Sequence, residues 1–189
     1  MTLADRSELT KVAIYLRHNL LCLKAEEGLT GHLKSPSGAA YLDLAEAESI
    51  GGYPTSLTTA EALDLDSEGR AVVVELEKFV FISVYCPAVT IPEREVFRVK
   101  FLAVLEERVR NLQALGKSVV VAGDINVCRE PIDTADPVGA ARRTESGVFE
   151  DTHSRRWLRR LLVPSGPLVD TGRHFNPNRE GMYTCSIHG

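Results

Sequence analysis

Residues 119–131, VVVAGDINVCREP, set three consecutive valines directly against a Gly-Asp step. That order constrains the fold more than any other stretch. Residues 118–122 read as a strand covered on both faces, because a nearly continuous β-branched run offers solvent no polar side chain. Gly123 then stops the strand. Asp124 and Asn126 share a parity across the pleat, so both side chains reach one spot if extended geometry persists through Ile125. A carboxylate oxygen and an amide oxygen at one spot form a partial shell that a hard cation such as Mg²⁺ accepts, with water and a substrate phosphate completing it. The bland alternative is a Gly-Asp turn in which the aspartate caps the backbone. Taken alone, these residues favour the turn.

The rest of the chain alternates strand and helix signals. Residues 11–16, 20–24, 71–77 and 79–85 read as strands, the last two joined so tightly around Lys78 that an antiparallel hairpin follows. Thr90-Ile91-Pro92-Glu93 has the form of a capping box with proline early in a helix, where its missing N–H costs little. Phe97, Phe101, Val104, Leu105, Val109, Leu112 and Leu115 then mark one helical stripe, interrupted only by Arg108 and ended by Gly116. Helix running straight into the VVVA strand gives a layered α/β fold, with two sheets and helices outside as the expected arrangement. Residues 35–68, with SPSG and GGYP, carry little periodicity and read as a surface insertion.

Composition fits a globular chain: 189 residues with 44% hydrophobic content supply a sizeable core, and one domain is the default. No apolar run is long enough to span a bilayer, and the first ten residues lack the apolar segment of a secretory signal, so an intracellular protein is expected. Cys22, Cys86, Cys128 and Cys185 show no CxxC pairing or zinc spacing and read as free thiols. The net charge of −4 is uneven. Through Glu95 there are eight basic and fifteen acidic residues, whereas from Val96 onward there are fourteen basic and eleven acidic. Arg142, Arg143, Arg155, Arg156, Arg159 and Arg160 form the densest positive region, the kind of local patch that attracts phosphates. In RRWLRRLL, Trp157, Leu158, Leu161 and Leu162 recur at helical spacing, which leaves the four arginines outward.

Five segments carry a resemblance in order: LDSEGRAVVVEL, FISVYCPA, the helix FR-x₂-FL-x₆-VRNL, GDINVCREPIDTADP and EGMYTC. Together they resemble the AP endonucleases of the exonuclease III family. CREPIDTADP, RRWLRRLL, the RHFNPNREGMYTC tail and the IGGYPT loop are similar to its type 2 branch, in the form found in fungi. The resemblance covers residues 11–185 as the central part of a single endonuclease/exonuclease/phosphatase domain, with residues 1–10 and 186–189 unmatched. It implies an α/β (α+β) fold of the four-layer αββα sandwich type, incomplete here. It also implies a nuclear DNA-repair enzyme, requiring Mg²⁺ or alternatively Mn²⁺. The implied reaction is hydrolysis of the phosphodiester 5′ to an abasic site in double-stranded DNA, with trimming of damaged 3′ ends as a second activity.

The resemblance also assigns residues. Tyr85, in VYCPA, matches the active-site tyrosine of the family's Y-x-P motif, although alone it reads as a strand-end tyrosine with a satisfied hydroxyl. Asp124 is implied as an active-site acid or water-positioning group that also reaches the metal, and Asn126 as a group holding the phosphate-side geometry and sharing the metal. Arg155, Arg156 and Arg159 are the substrate-contact candidates. Ala88 departs from the asparagine that many members carry there. Asp133 and Asp136 read as loop or capping residues, and none of the five histidines lies in a segment matching the family's catalytic histidine. No segment matches the family's metal-binding glutamate or its terminal Asp-His pair, so the polypeptide alone is expected to be inactive or nearly so. The competing expectations are another phosphoesterase of the same superfold and a non-catalytic fragment that binds DNA or a partner.

Overall fold

A computed structural model describes residues 12–88 and 91–182 of the chain. Two compact units appear, Met1–Asn126 and Val127–Gly189. Among the described residues no helix is long and apolar enough to cross a membrane.

The first unit is built on one four-stranded sheet: β1 (Cys22–Glu27), β2 (Ala71–Leu76), β3 (Val80–Tyr85) and β4 (Val119–Asp124), in that spatial order. The first three strands run antiparallel, and β4 lies parallel to β3. The hairpin expected around Lys78 closes with Leu76 N–H donating to Phe79 O at 2.9 Å. The strand expected over residues 11–16 does not form at residues 12–16, and the one expected at 20–24 starts two residues later. Among the described residues there is one sheet rather than two. The expectation that the valine run is covered on both faces is therefore corrected: Val119 and Val121 are half-buried, while Val120 is 41% exposed. Among the described residues β4 is an edge strand, and a valine run alone does not say how many faces will be covered.

Long helix α2 (Pro92–Ala114) connects β3 to β4. Its N-cap is Ile91, without a side-chain bond, and Thr90 of the expected capping box lies outside the described residues. At its C-terminus Gly116, at φ +79°, lets its own N–H reach Gln113 O and the Lys117 N–H reach Leu112 O. This pairing is a Schellman stop and explains why the helix ends at a glycine. Phe101, Leu102, Val104, Leu105, Val109 and Leu112 are all at most 1% exposed, whereas Leu115, past the helix end, is 58% exposed.

Arg108, the polar break in the stripe, is buried with its stripe. Its Nη2 donates to Glu26 Oε2 at 2.9 Å, and Tyr53 lies under the guanidinium with the ring centre 4.2 Å away. Glu26 Oε1 also accepts the Ile50 N–H and the Tyr53 hydroxyl, each at 2.6 Å. Burial, and then the bond to Glu26, push the Tyr53 phenol well above its ordinary value, so it remains a donor. Because Glu26 reaches α2, the residues level with it, Val73, Ile82 and Val121, lie on the helix-covered face of the sheet. Phe81, Ser83, Tyr85, Val120, Ala122 and Asp124 alternate onto the opposite face.

Residues 35–68 are more ordered than their sequence suggests. Lys24 Nζ donates to Ser49 O at 2.6 Å, Lys117 Nζ to Ile50 O at 2.8 Å and Asn111 Nδ2 to Tyr53 O at 3.2 Å, which together tie the IGGYPT loop to β1 and α2. Helix α1 (Thr59–Asp66) follows, started by a true capping box between Thr58 and Glu61. At its end Asp66, 4% exposed, accepts the Leu29 and Thr30 N–H groups and the Thr30 hydroxyl.

The bond from Lys100, then the Thr58 backbone N–H and hydroxyl, lower the Glu61 carboxyl from 4.5 to about 2. A folded value below the unfolded one means that the cap's contribution is complete above pH 4.5 and disappears as pH falls through 2. Carbon-detected NMR titration of Glu61 should show a midpoint near 2, together with fraying of α1 over that interval; a midpoint near 4.5 would contradict the cap.

The second unit holds three short helices, α3 (Pro137–Arg142), α4 (His153–Leu161) and α5 (Thr171–Phe175), around Ala140, Phe149, Trp157, Leu161 and Leu162. Each helix has a side-chain N-cap: Asp136 to the Gly139 N–H, Thr152 to the Arg155 N–H and Asp170 to the Arg173 N–H. Asp133 accepts the Glu130 N–H at 2.9 Å and is clamped by the Arg173 guanidinium.

Candidate active site

The carboxyl ends of the parallel strand pair β3 and β4 bring the sequence candidates together. The pairing register sets Tyr85 level with Asp124, so their side chains are neighbours on the same face of the sheet. Strand pairing runs through Gly123 rather than stopping there. Gly123, at φ +131°, passes so close to β3 that any Cβ would overlap the Val84 carbonyl oxygen. Gly123→Ala should therefore cost about 1–3 kcal/mol through backbone strain. Urea unfolding would measure this, and a loss within error would show that the close approach is dispensable.

Extended geometry ends at Asp124, which corrects the parity argument for Asp124 and Asn126. Asn126 has φ 52°, and its N–H donates to Asp124 Oδ1 at 2.8 Å. This is the aspartate-capped turn that the short stretch alone favoured. The turn still gathers the groups: Asn126 Nδ2 donates to Cys86 O at 2.8 Å, and Cys86 N–H donates to Asp124 O at 2.7 Å. Two acceptors, Asp124 Oδ2 and Asn126 Oδ1, and the Tyr85 hydroxyl bond to no other group among the described residues.

Three arginines stand behind this point. Arg98 Nη2 donates to Asn126 O at 2.7 Å, and Arg70, 8% exposed, donates to Tyr85 O at 3.2 Å with its guanidinium 5.6 Å from the Tyr85 ring centre. Arg94 forms a two-pronged pair with Glu68, which also accepts from Arg70 Nε at 2.6 Å. Arg94 is balanced by Glu68 and Asp64, so the positive charge beside Asp124 comes from Arg98 and Arg70. The sequence reading missed Arg70 and Arg98. Both lie in segments that carry the resemblance, Arg70 in LDSEGRAVVVEL and Arg98 in FR-x₂-FL, but nothing in those segments marks either as a site residue.

Cys86, next to Tyr85, is fully buried, and burial pushes its thiol up to about 12. It is therefore no nucleophile at neutral pH. Cys22 and Cys128 are exposed, so a thiol reagent should modify these two at pH 8 and spare Cys86 in the folded chain. Mass spectrometry would detect the pattern, and labelling of Cys86 at an equal rate would contradict it. Cys185 lies outside the described residues.

Among the described residues no group of three or more His, Cys, Asp or Glu side chains gathers to hold a metal ion. Asp124, with one uncommitted carboxylate oxygen and with Asn126 bonded to it through the turn, fits a cation that keeps most of its water, which is how Mg²⁺ is usually held.

In the second unit the expectation that all four arginines of RRWLRRLL point outward is corrected for Arg155. Its guanidinium lies 3.8 Å from the Phe149 ring centre and donates to Phe149 O at 2.6 Å and to Cys128 O at 3.2 Å. A planar cation with an aromatic ring and two carbonyls within reach turns inward despite its charge. Arg156 and Arg159 are exposed, paired with Asp151 at 3.0 Å and with Glu150 at 3.4 Å. A cavity of about 400 Å³ in this unit has walls that include Ile132, Leu162 and Val169, with Arg129, Asp170 and Arg173 among its polar groups.

Comparison with known proteins decides the relationship. The chain is 37% identical to DNA-(apurinic or apyrimidinic site) endonuclease 2 of Schizosaccharomyces pombe over 92% of its own length. It is 41% identical to the Saccharomyces cerevisiae protein of the same name over 89%, and 33% identical to the human one over 96%. Over most of its length the chain is a homologue of AP endonuclease 2. The AP endonuclease 2 fold is also its fold: the crystal structure of the Xenopus laevis APE2 catalytic domain superposes with a TM-score of 0.67 at 29% identity, covering 84% of this chain and 49% of that one. No family model matches the chain. The chain spans 34%, 40% and 36% of the lengths of the three AP endonuclease 2 relatives. Enzymes of this superfamily are typically metal-dependent.

Proposed function

We propose that the β3–β4 end carries the Tyr85, Asp124 and Asn126 side of a Mg²⁺-dependent phosphodiesterase site, and that its substrate is double-stranded DNA with an abasic site or a damaged 3′ end. Residues 11–185 are read as the central part of one catalytic domain working in the nucleus. The observation that carries this reading is the register placing Tyr85 beside Asp124 at the carboxyl ends of two parallel strands, where α/β sheets present their ligand sites.

The division of labour follows from the free groups. Asp124 Oδ2 accepts a hydrogen bond from the attacking water and orients it, while Oδ1 stays committed to the turn. The Tyr85 hydroxyl donates to a phosphate oxygen, and Arg70 and Arg98 favour the negative charge that builds there. Asp124 and Asn126 would hold the metal, which when bound neutralises charge on the phosphate and on the leaving oxygen. Arg156 and Arg159 are the exposed contacts to the DNA backbone, their surface ion pairs being weak enough, at about 0–1 kcal/mol, for phosphates to displace. Arg155 is assigned to structure.

A hybrid tests the reading. Residues 11–185 replace the matching segment of the Schizosaccharomyces pombe relative, and the product is assayed on an abasic-site duplex. Incision 5′ to the abasic site, dependent on Mg²⁺ and abolished by chelation, is expected. A folded hybrid that ignores the duplex and hydrolyses soluble phosphate esters would refute it.

A further inference from the structure

Asn126 is the one non-glycine residue with positive φ among the described residues, at 52°. Asparagine tolerates this region better than most side chains, yet the conformation persists only when its surroundings impose it. Three hydrogen bonds do so here. Two are local to the strand ends: its N–H to Asp124 Oδ1 and its Nδ2 to Cys86 O, both at 2.8 Å. The third comes from 28 residues away, where Arg98 on α2 donates to Asn126 O at 2.7 Å.

Arg98 is poorly provided for otherwise. Its Nε is buried and has no hydrogen-bond partner among the described residues. A buried unpaired N–H destabilises the fold, so the guanidinium is not held there by its own satisfaction. Among the described residues, the one hydrogen bond that Arg98's side chain makes is to the carbonyl of the left-handed residue, two positions after Asp124.

We infer that Arg98 is a positioning residue: its guanidinium locks Asn126 in the left-handed turn, and thereby holds the Asp124 carboxylate and the Asn126 amide in the arrangement the substrate phosphate meets. The inference rests on the proposed site, but the lock itself does not depend on DNA. An arginine reserved for direct phosphate contact would leave the turn unchanged when removed, whereas a locking arginine would not.

The test uses the full chain, with Arg98→Gln and Arg98→Lys, and reads hydrogen exchange and chemical shifts of the Asn126 backbone and side-chain amides by NMR. Arg98→Gln should speed exchange at the Asn126 N–H at least about tenfold and shift its signals, while amides in the middle of β2 and β3 keep their protection. Arg98→Lys, which keeps a charged donor without the planar fork, should restore protection to within about threefold of the unsubstituted chain. Unchanged Asn126 exchange and shifts in Arg98→Gln would overturn the inference. So would a uniform loss of protection in both variants, because Arg98 would then support the whole fold rather than this turn. The site reading has a separate readout: an abasic-site duplex added to the unsubstituted chain should perturb Tyr85, Asp124 and Asn126, and its failure to do so would refute the site while leaving the Arg98 result to stand or fall on exchange.

Discussion

Arg108→Ala is expected to lower stability by about 3–5 kcal/mol, the usual effect of removing one partner from a buried ion pair. Arg108 is 1% exposed and Glu26 3% exposed, so the substitution leaves a carboxylate in the core with only the Ile50 N–H and the Tyr53 hydroxyl for company. It also empties the space above the Tyr53 ring. Against a typical net stability of about 5–15 kcal/mol, such a loss unfolds a large part of the population. Urea denaturation followed by circular dichroism would measure it. The double variant Glu26→Gln/Arg108→Met, which buries no charge, should recover much of the difference. A single-variant loss under about 1 kcal/mol would mean that the pair does not join β1 to α2 as described.

Asp124→Ala should reduce kcat of the hybrid enzyme by about 10²–10⁴-fold, the range for removing a positioned acid-base group. The fold should tolerate it, because Asp124 is exposed and its main loss is one turn hydrogen bond, about 1 kcal/mol. A large fall in kcat with little change in the unfolding midpoint separates chemistry from folding. Equal falls in both would make Asp124 a structural cap and nothing more.

The sequence and the structure agree best where local patterning decides. The α2 stripe, its glycine stop and the tight hairpin at Lys78 all form, because side-chain period and turn chemistry act over a few residues. Arg108 looks like a defect in the stripe, since its partner Glu26 lies 82 residues away and only the pairing of β1 with β2 brings it under the helix. The IGGYPT loop looks unstructured for the same reason: its anchors are Glu26, Asn111 and Lys117, none of them nearby in sequence. Helix α1 passes unnoticed although Thr58 and Glu61 spell its capping box, because its apolar spacing is weak.

In the candidate site, Tyr85, Asp124 and Asn126 were legible as motif residues, but the geometry joining them was not. Parity suggested that Asp124 and Asn126 meet through an extended strand. A left-handed turn brings them together instead, and the partner level with Asp124 is Tyr85, through the β3–β4 register. That register requires a glycine at position 123, where any side chain would strike the Val84 carbonyl oxygen. Arg155 was misplaced because helical spacing gives the direction of a side chain's root and says nothing of a ring and two carbonyls waiting to draw a guanidinium inward.

The most direct measurement of the central claim is a double-mutant cycle on the hybrid enzyme with Tyr85→Phe and Asp124→Ala, scored as kcat on an abasic-site duplex. Residues that act on one phosphodiester as a unit lose activity non-additively. If Tyr85 and Asp124 form one site, the double variant should be hardly slower than Asp124→Ala alone, falling short of the product of the single losses by at least about tenfold. Losses that multiply in full, or a Tyr85→Phe enzyme with undiminished kcat, would contradict a shared site at the β3–β4 end.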